Sequence, residues 1–192
     1  MSTKTTFHTA YSLLVKDFLR LCEFIAPHNS NLATFSHRNY ELLLRVCTEF
    51  ENLSKFVLTE NEYAKRENMN IQDYRHLEEY FELSKQEAGL LFWTPKKKFV
   101  RPFADWAHSN SPLSWYQDYN KVKHNREAEF PLASFNNLVL SLSGLFLCLH
   151  ARFRRSFFNP YSPGVRSGGS SSGGYTEIQL DNSIFSVRRE TP

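Results

Sequence analysis

The sequence lacks the short motifs that mark most nucleotide- and metal-dependent enzymes. It has no Walker-type Gly-Lys loop, no dinucleotide Gly-x-Gly-x-x-Gly, no Cys-x-x-Cys pair and no His-Glu-x-x-His. The seven histidines (8, 28, 37, 76, 108, 124 and 150) fall without ligand spacing. No metal and no cofactor is therefore expected. Cysteine is scarce: Cys22, Cys47 and Cys148 are odd in number and widely separated, which fits buried free thiols in a reducing cytoplasm. Long apolar runs are missing too. The longest, Leu138 to Leu149, is interrupted by Ser141, Ser143 and Gly144 and falls well short of the roughly twenty residues a bilayer requires. The first residues show neither an apolar h-region nor a small-residue cleavage site. A cytoplasmic protein with no membrane partner is the expectation.

Aromatic residues, by contrast, are abundant. Seventeen Phe, nine Tyr and three Trp in 192 residues supply enough large apolar area for a folded domain with a real core. The three tryptophans, Trp93, Trp106 and Trp115, are expected in that core. Net charge is only +3, so polyanion binding does not follow from it. The cations are nonetheless gathered in the second half, at Lys96 to Lys98, Lys121 to Arg126 and Arg152 to Arg155.

Apolar spacing of three and four predicts helices over about 7–26, from a Ser36 cap to about Thr59, and from an Asn70 cap through Ile71, Tyr74, Leu77 and Phe81. Ser111-Pro112 predicts the opening of a fourth helix over about 112–126, and a fifth follows over about 132–155. Between the third and fourth, "AGLLFW", "TPKKK" and "FVRPF" predict two short extended segments around a turn. Its lysines either touch phosphate or guard an exposed edge. The fold class expected is all-α: a bundle of about five main helices with a small irregular or β-hairpin insertion and a flexible C-terminal tail. Residues 1–160 form the helical domain, 161–174 a Gly/Ser linker and 175–192 a tail. "YTEIQL" and "SIFSVRR" in that tail can form a short hairpin that docks on the body, on a partner, or not at all. On this reading the linker is mobile and the bundle folds without the tail.

The densest chemistry lies in "WYQDYNKVKHNR", residues 115–126. On a helix Trp115, Tyr119 and Val122 share one face. His124 points the opposite way, with Gln117, Asn120 and Lys121. A histidine titrates near neutrality and can both take and give a proton. Asn120 can hold a ribose hydroxyl or phosphate oxygen, and Lys121, Lys123 or Arg126 can offset charge growing on phosphate. Tyr116, on the same helix, is a further substrate-contacting candidate. The same residues also describe a solvated basic helix face. The polar face of the second helix, with Arg45, Glu49, Glu51 and Lys55, predicts ordinary i,i+4 ion pairs.

A helical domain of this size with a late-helix segment ending in "NKVKHNR" resembles the HEPN superfamily. That resemblance implies an often dimeric, RNA-directed helical domain of defence and toxin–antitoxin systems. Many of its members are metal-independent ribonucleases. Their motif is an arginine, a polar residue and a histidine four to six positions after the arginine. Here His124 matches the histidine and Asn120 stands for the polar residue. No arginine precedes Asn120, where Gln117, Asp118 and Tyr119 stand. Arg45, reaching across a bundle groove, is the candidate to replace it. The resemblance thus implies catalytic roles for His124, Asn120 and Arg45, RNA contacts for Lys121, Lys123, Arg126 and Tyr116, and a homodimer. A second reading stays open from the residues themselves: a non-catalytic helical adaptor or antitoxin-like subunit that meets a protein partner through its tail.

Overall fold

A computed structural model describes residues 3–64, 68–108, 111–158, 169–172, 175–180 and 183–190. Helix α1, Thr3–Cys22, buries Tyr11, Leu14, Phe18 and Leu21, the three-four stripe expected of an amphipathic helix. Helix α2, His37–Glu60, begins where Ser36 Oγ accepts from the Asn39 amide at 3.1 Å, as its cap position predicts. The third expected helix is two shorter ones, α3 Ile71–Tyr74 and α4 Leu77–Phe81. Asn70 caps the first of them in a reciprocal box with Asp73.

Helix α5, Ser114–His124, does not start at a Ser111 cap. Leu113 holds the cap position, and Asp105 from the preceding turn accepts from the Ser114 amide at 3.0 Å. After the short α6, Arg126–Glu129, helix α7 runs over Phe135–Phe153 and α8 over Arg155–Phe158. Helix α7 is buried on almost every side, between α2, α5 and the sheet. Gly144 is part of the reason. A Cβ there would lie 3.3 Å from Phe103 and 3.4 Å from Trp115, so its absence lets both rings close on the helix.

The all-α expectation is overturned by a five-stranded antiparallel sheet, which makes the protein α+β. Strands β1 Gln86–Leu90 and β2 Lys98–Val100 are the expected central hairpin. Strands β3 Gly169–Ser172, β4 Tyr175–Gln179 and β5 Phe185–Glu190 come from the tail. The order is β2-β1-β5-β4-β3, so β5 joins the two halves, with Ala88 opposite Val187. The error has a physical cause. Each hairpin is marginal alone, and helical or strand periodicity is local, whereas the pairing of residue 88 with residue 187 is not. Of the expected linker, residues 169–172 form β3 on β4, and the remainder lies outside the described residues.

Alternation along the strands gives the sheet two distinct faces. Ala88, Leu90, Phe185 and Val187 point into the core, where the Phe185 ring lies 5.0 Å from Phe146 and 5.7 Å from Phe92. On the other face Gly89 leaves room for the Phe99 ring. A Cβ at Gly89 would collide with Ser186 Oγ and press Phe99. Glu87, only 6% exposed, accepts from both Arg101 and Arg188. The Arg188 guanidinium lies 3.7 Å from the Phe99 ring and 4.6 Å from the Tyr175 ring. Trp93, Trp106 and Trp115 are all buried, as expected. No helix among the described residues is long and apolar enough to cross a membrane.

Candidate functional site at the seam of the second and fifth α-helices

Helix α5 lies antiparallel along α2, as three contacts show. Tyr116 Oη donates to Glu51 at 2.8 Å, Tyr119 faces Glu51 and Thr48, and the Arg126 guanidinium covers the Tyr40 ring at 5.6 Å. On its other flank Asp118 accepts from Asn137 of α7 at 3.1 Å. Trp115 Nε1 donates to the Pro102 carbonyl at 2.8 Å. These ties bury Trp115, Tyr116, Tyr119 and Val122. They fix the rotation of the helix, and with it the outward direction of His124.

The lip of the seam is polar and open. His124 is exposed, and among the described residues no hydrogen bond or ion pair reaches its ring. Asn120 is half-buried one turn before it. Lys123 leans on Tyr119, its Nζ 3.1 Å from the phenol oxygen and 5.1 Å from the ring centre. Lys121 points the other way and meets Asp118 at 3.4 Å. Helix α5 ends at Asn125, whose φ of −139° and ψ of 64° break the helix. The break turns Arg126 back toward the start of α2. Asn120, Lys123, His124 and Arg126 are thus gathered within two turns, and Lys121 stands to one side.

Two of the expected site residues are placed elsewhere. Tyr116 is 5% exposed and committed to Glu51, so it presents no surface to a substrate. Arg45 does not meet His124. Five residues beyond Tyr40, at ~100° per residue, it faces about 140° away from the α5 side of α2. There it pairs with Asp17 at 2.5 Å. It lines a groove of about 410 Å³ between α1 and α2, with Arg20, Phe24, Arg38 and Glu41.

Burial sets the chemistry of the groups nearby. Burial first, then the Glu51 carboxylate, hold the Tyr116 and Tyr119 phenols well above their usual range, so both remain O–H donors at neutral pH. Burial pushes the Cys22 thiol up to about 12 and also raises Cys47 and Cys148, which leaves no activated thiolate among them. His150, deep in α7, is lowered to about 4 by burial, with Arg154 and Arg155 adding to the shift. It stays neutral in the core. Among the described residues no group of three His, Cys, Asp or Glu side chains is arranged to hold a metal.

Glu51, Tyr119 and Tyr40 complete the seam and were not expected in it. Glu51 is assigned by sequence to an ion pair with Lys55, because i,i+4 charges suggest one. The available signal was the spacing of Tyr40, Cys47 and Glu51, which share a face of α2. The chain matches no protein-family model, no curated protein and no solved structure.

Proposed function

We propose that the protein is an RNA-directed domain of HEPN-like type, with the outer lip of the α2–α5 seam as its phosphate-contacting surface. One observation carries the reading: His124 is exposed and, among the described residues, unpaired, with Asn120, Lys123 and Arg126 beside it at the end of a packed helix. Cations along such a lip neutralise backbone phosphates and release their counterions. The reading extends to metal-independent cleavage. His124 takes the proton of a ribose 2′-hydroxyl as its oxygen attacks the adjacent phosphorus. The imidazolium then returns a proton to the departing 5′ oxygen, leaving a 2′,3′-cyclic phosphate and a 5′-hydroxyl. Lys123 offsets charge on the phosphate, and Asn120 positions it. The defence or toxin–antitoxin setting and the homodimer rest on the family resemblance. A cytoplasmic location rests on the three free cysteines.

A second reading, the non-catalytic adaptor, is favoured by the Arg45–Asp17 pair, which keeps the expected replacement for the motif arginine away from His124. In that reading a partner meets the tail, whose described strands pair within this chain through β1. RNA incubated with the protein in excess chelator separates the two. Cleavage to cyclic-phosphate ends that falls on the order of 10²–10⁴-fold in His124→Ala supports the nuclease. RNA binding without cleavage supports a binding module, and neither binding nor cleavage leaves the adaptor.

A further inference from the structure

Next to the seam lies a group of aromatic rings at the margin of the core. Phe35 is 45% exposed, and neither it nor Phe130 belongs to the hydrophobic core or to the half-buried shell packed on it. The rings instead pack on one another. Phe130 meets Phe35 edge-on at 5.5 Å, His37 at 4.7 Å and Tyr40 at 6.4 Å. Tyr40 carries the Arg126 guanidinium, so the group is continuous with the lip that bears His124.

The backbone that carries the exposed ring is held from several sides. The Phe135 amide donates to the Thr34 carbonyl at 2.7 Å, and the Asn136 amide to Leu32 at 2.9 Å. Phe35 forms a bridge with Ser134, Asn39 Nδ2 donates to the Thr34 carbonyl at 3.0 Å, and Ser36 caps α2 immediately after it. A ring left nearly half in water on fixed backbone keeps surface open to a ligand at a small ordering cost.

We infer that Phe35, with His37 and Phe130 behind it, is a stacking subsite for an unpaired nucleobase, which makes the substrate class single-stranded RNA. The inference rests on the phosphate-contacting reading of the lip. Charge favours a base here over a phosphate. Arg38, three residues from Phe35, is paired with Glu41 at 2.9 Å, so the Phe35 end attracts an anion less than the lip at Lys123 and Arg126 does. The π-faces are what it has to give, and every base has one. Bases in a duplex are already stacked on one another and cannot enter.

The test compares a short single strand of RNA, an abasic strand of the same length, and the matching duplex. Each is titrated against wild type, Phe35→Ala, Phe35→Trp and Lys123→Ala. Phe35→Ala is expected to weaken the intact strand about tenfold, the size of one lost base stack, and to leave the abasic strand unchanged. Phe35→Trp restores the wild-type value. Lys123→Ala weakens both strands alike. Wild-type protein that binds intact and abasic strands equally, with Phe35→Ala matching it on both, overturns the subsite and leaves the phosphate reading standing. Wild-type protein that binds neither strand removes the parent reading, and the subsite with it.

Discussion

Two basic regions of the molecule invite comparison, the outer face of the sheet and the lip of the α2–α5 seam. In sequence they look alike, "KKKFVR" and "VRR" against "NKVKHNR". In space they differ. On the sheet four of the six cations are matched, Lys97 to Glu177, Arg101 and Arg188 to Glu87, and Arg189 to Glu82, while Lys98 reaches the Asn29 side chain. Two of them also cover the Phe99 ring. At the lip, among the described residues, no ion pair reaches His124, Lys123 or Arg126, and the two cations rest on tyrosine rings. A matched cation holds strands together, whereas an unmatched one remains available to a ligand. Clustering of positive charge in a sequence does not separate the two cases.

The largest expected effect comes from breaking the sheet. Truncation after Pro160 removes Leu180, Phe185 and Val187 from the core, where they are at most 4% exposed. At ~1.5–3 kcal/mol for each buried side chain, the loss is about 5 kcal/mol or more. That is enough to abolish cooperative unfolding in a domain of ordinary stability. Thermal or urea denaturation checks it. A truncated protein as stable as the full chain would detach the tail from the fold.

Acid gives the next effect, and its sign follows from His150. Its folded value of about 4 lies below the ordinary 6.5 because burial disfavours the charged ring. Between those values the unfolded chain binds a proton that the folded chain refuses. Stability therefore falls as pH drops from about 6.5 toward 4, by up to ~3 kcal/mol. Glu177 acts in the same direction on the sheet. Burial alone would raise it, but hydrogen bonds from Lys97 and Ser186, with the Lys97 and Arg188 charges, bring it below its usual range. Urea midpoints across this range measure the fall, and His150→Gln should flatten its upper part.

Within the seam, Tyr116→Phe removes the donor to Glu51 and should cost ~1 kcal/mol in stability. RNA affinity should be unchanged, because the ring stays buried. An RNA effect without a stability effect would return Tyr116 to the substrate-contacting role its sequence position suggests.

The helices were legible because their period is local, and Ser36 and Asn70 announced two starts correctly. The sheet was not legible as one sheet. Nothing within 175–190 or 86–100 specifies that β5 will lie beside β1. On α5 the helical wheel placed Trp115, Tyr119 and Val122 inside and His124 outside, as found. It could not place Tyr116, whose burial depends on how closely α2 approaches. Arg45 fails for a related reason. A wheel gives a residue's direction on its own helix, but not which neighbour lies there, and for Arg45 that neighbour is α1 with Asp17.

The most direct test of the central claim is the salt dependence of RNA binding in wild type and in a Lys123→Ala, Arg126→Ala double variant. The sheet's matched cations supply a control in Lys97→Ala. The account predicts that the double variant keeps the wild-type stability within ~0.5 kcal/mol and loses about two phosphate contacts from the slope of log affinity against log salt. Lys97→Ala should leave that slope unchanged. A slope unaltered in the double variant, or reduced as much by Lys97→Ala, would contradict the assignment of the seam as the RNA-contacting surface.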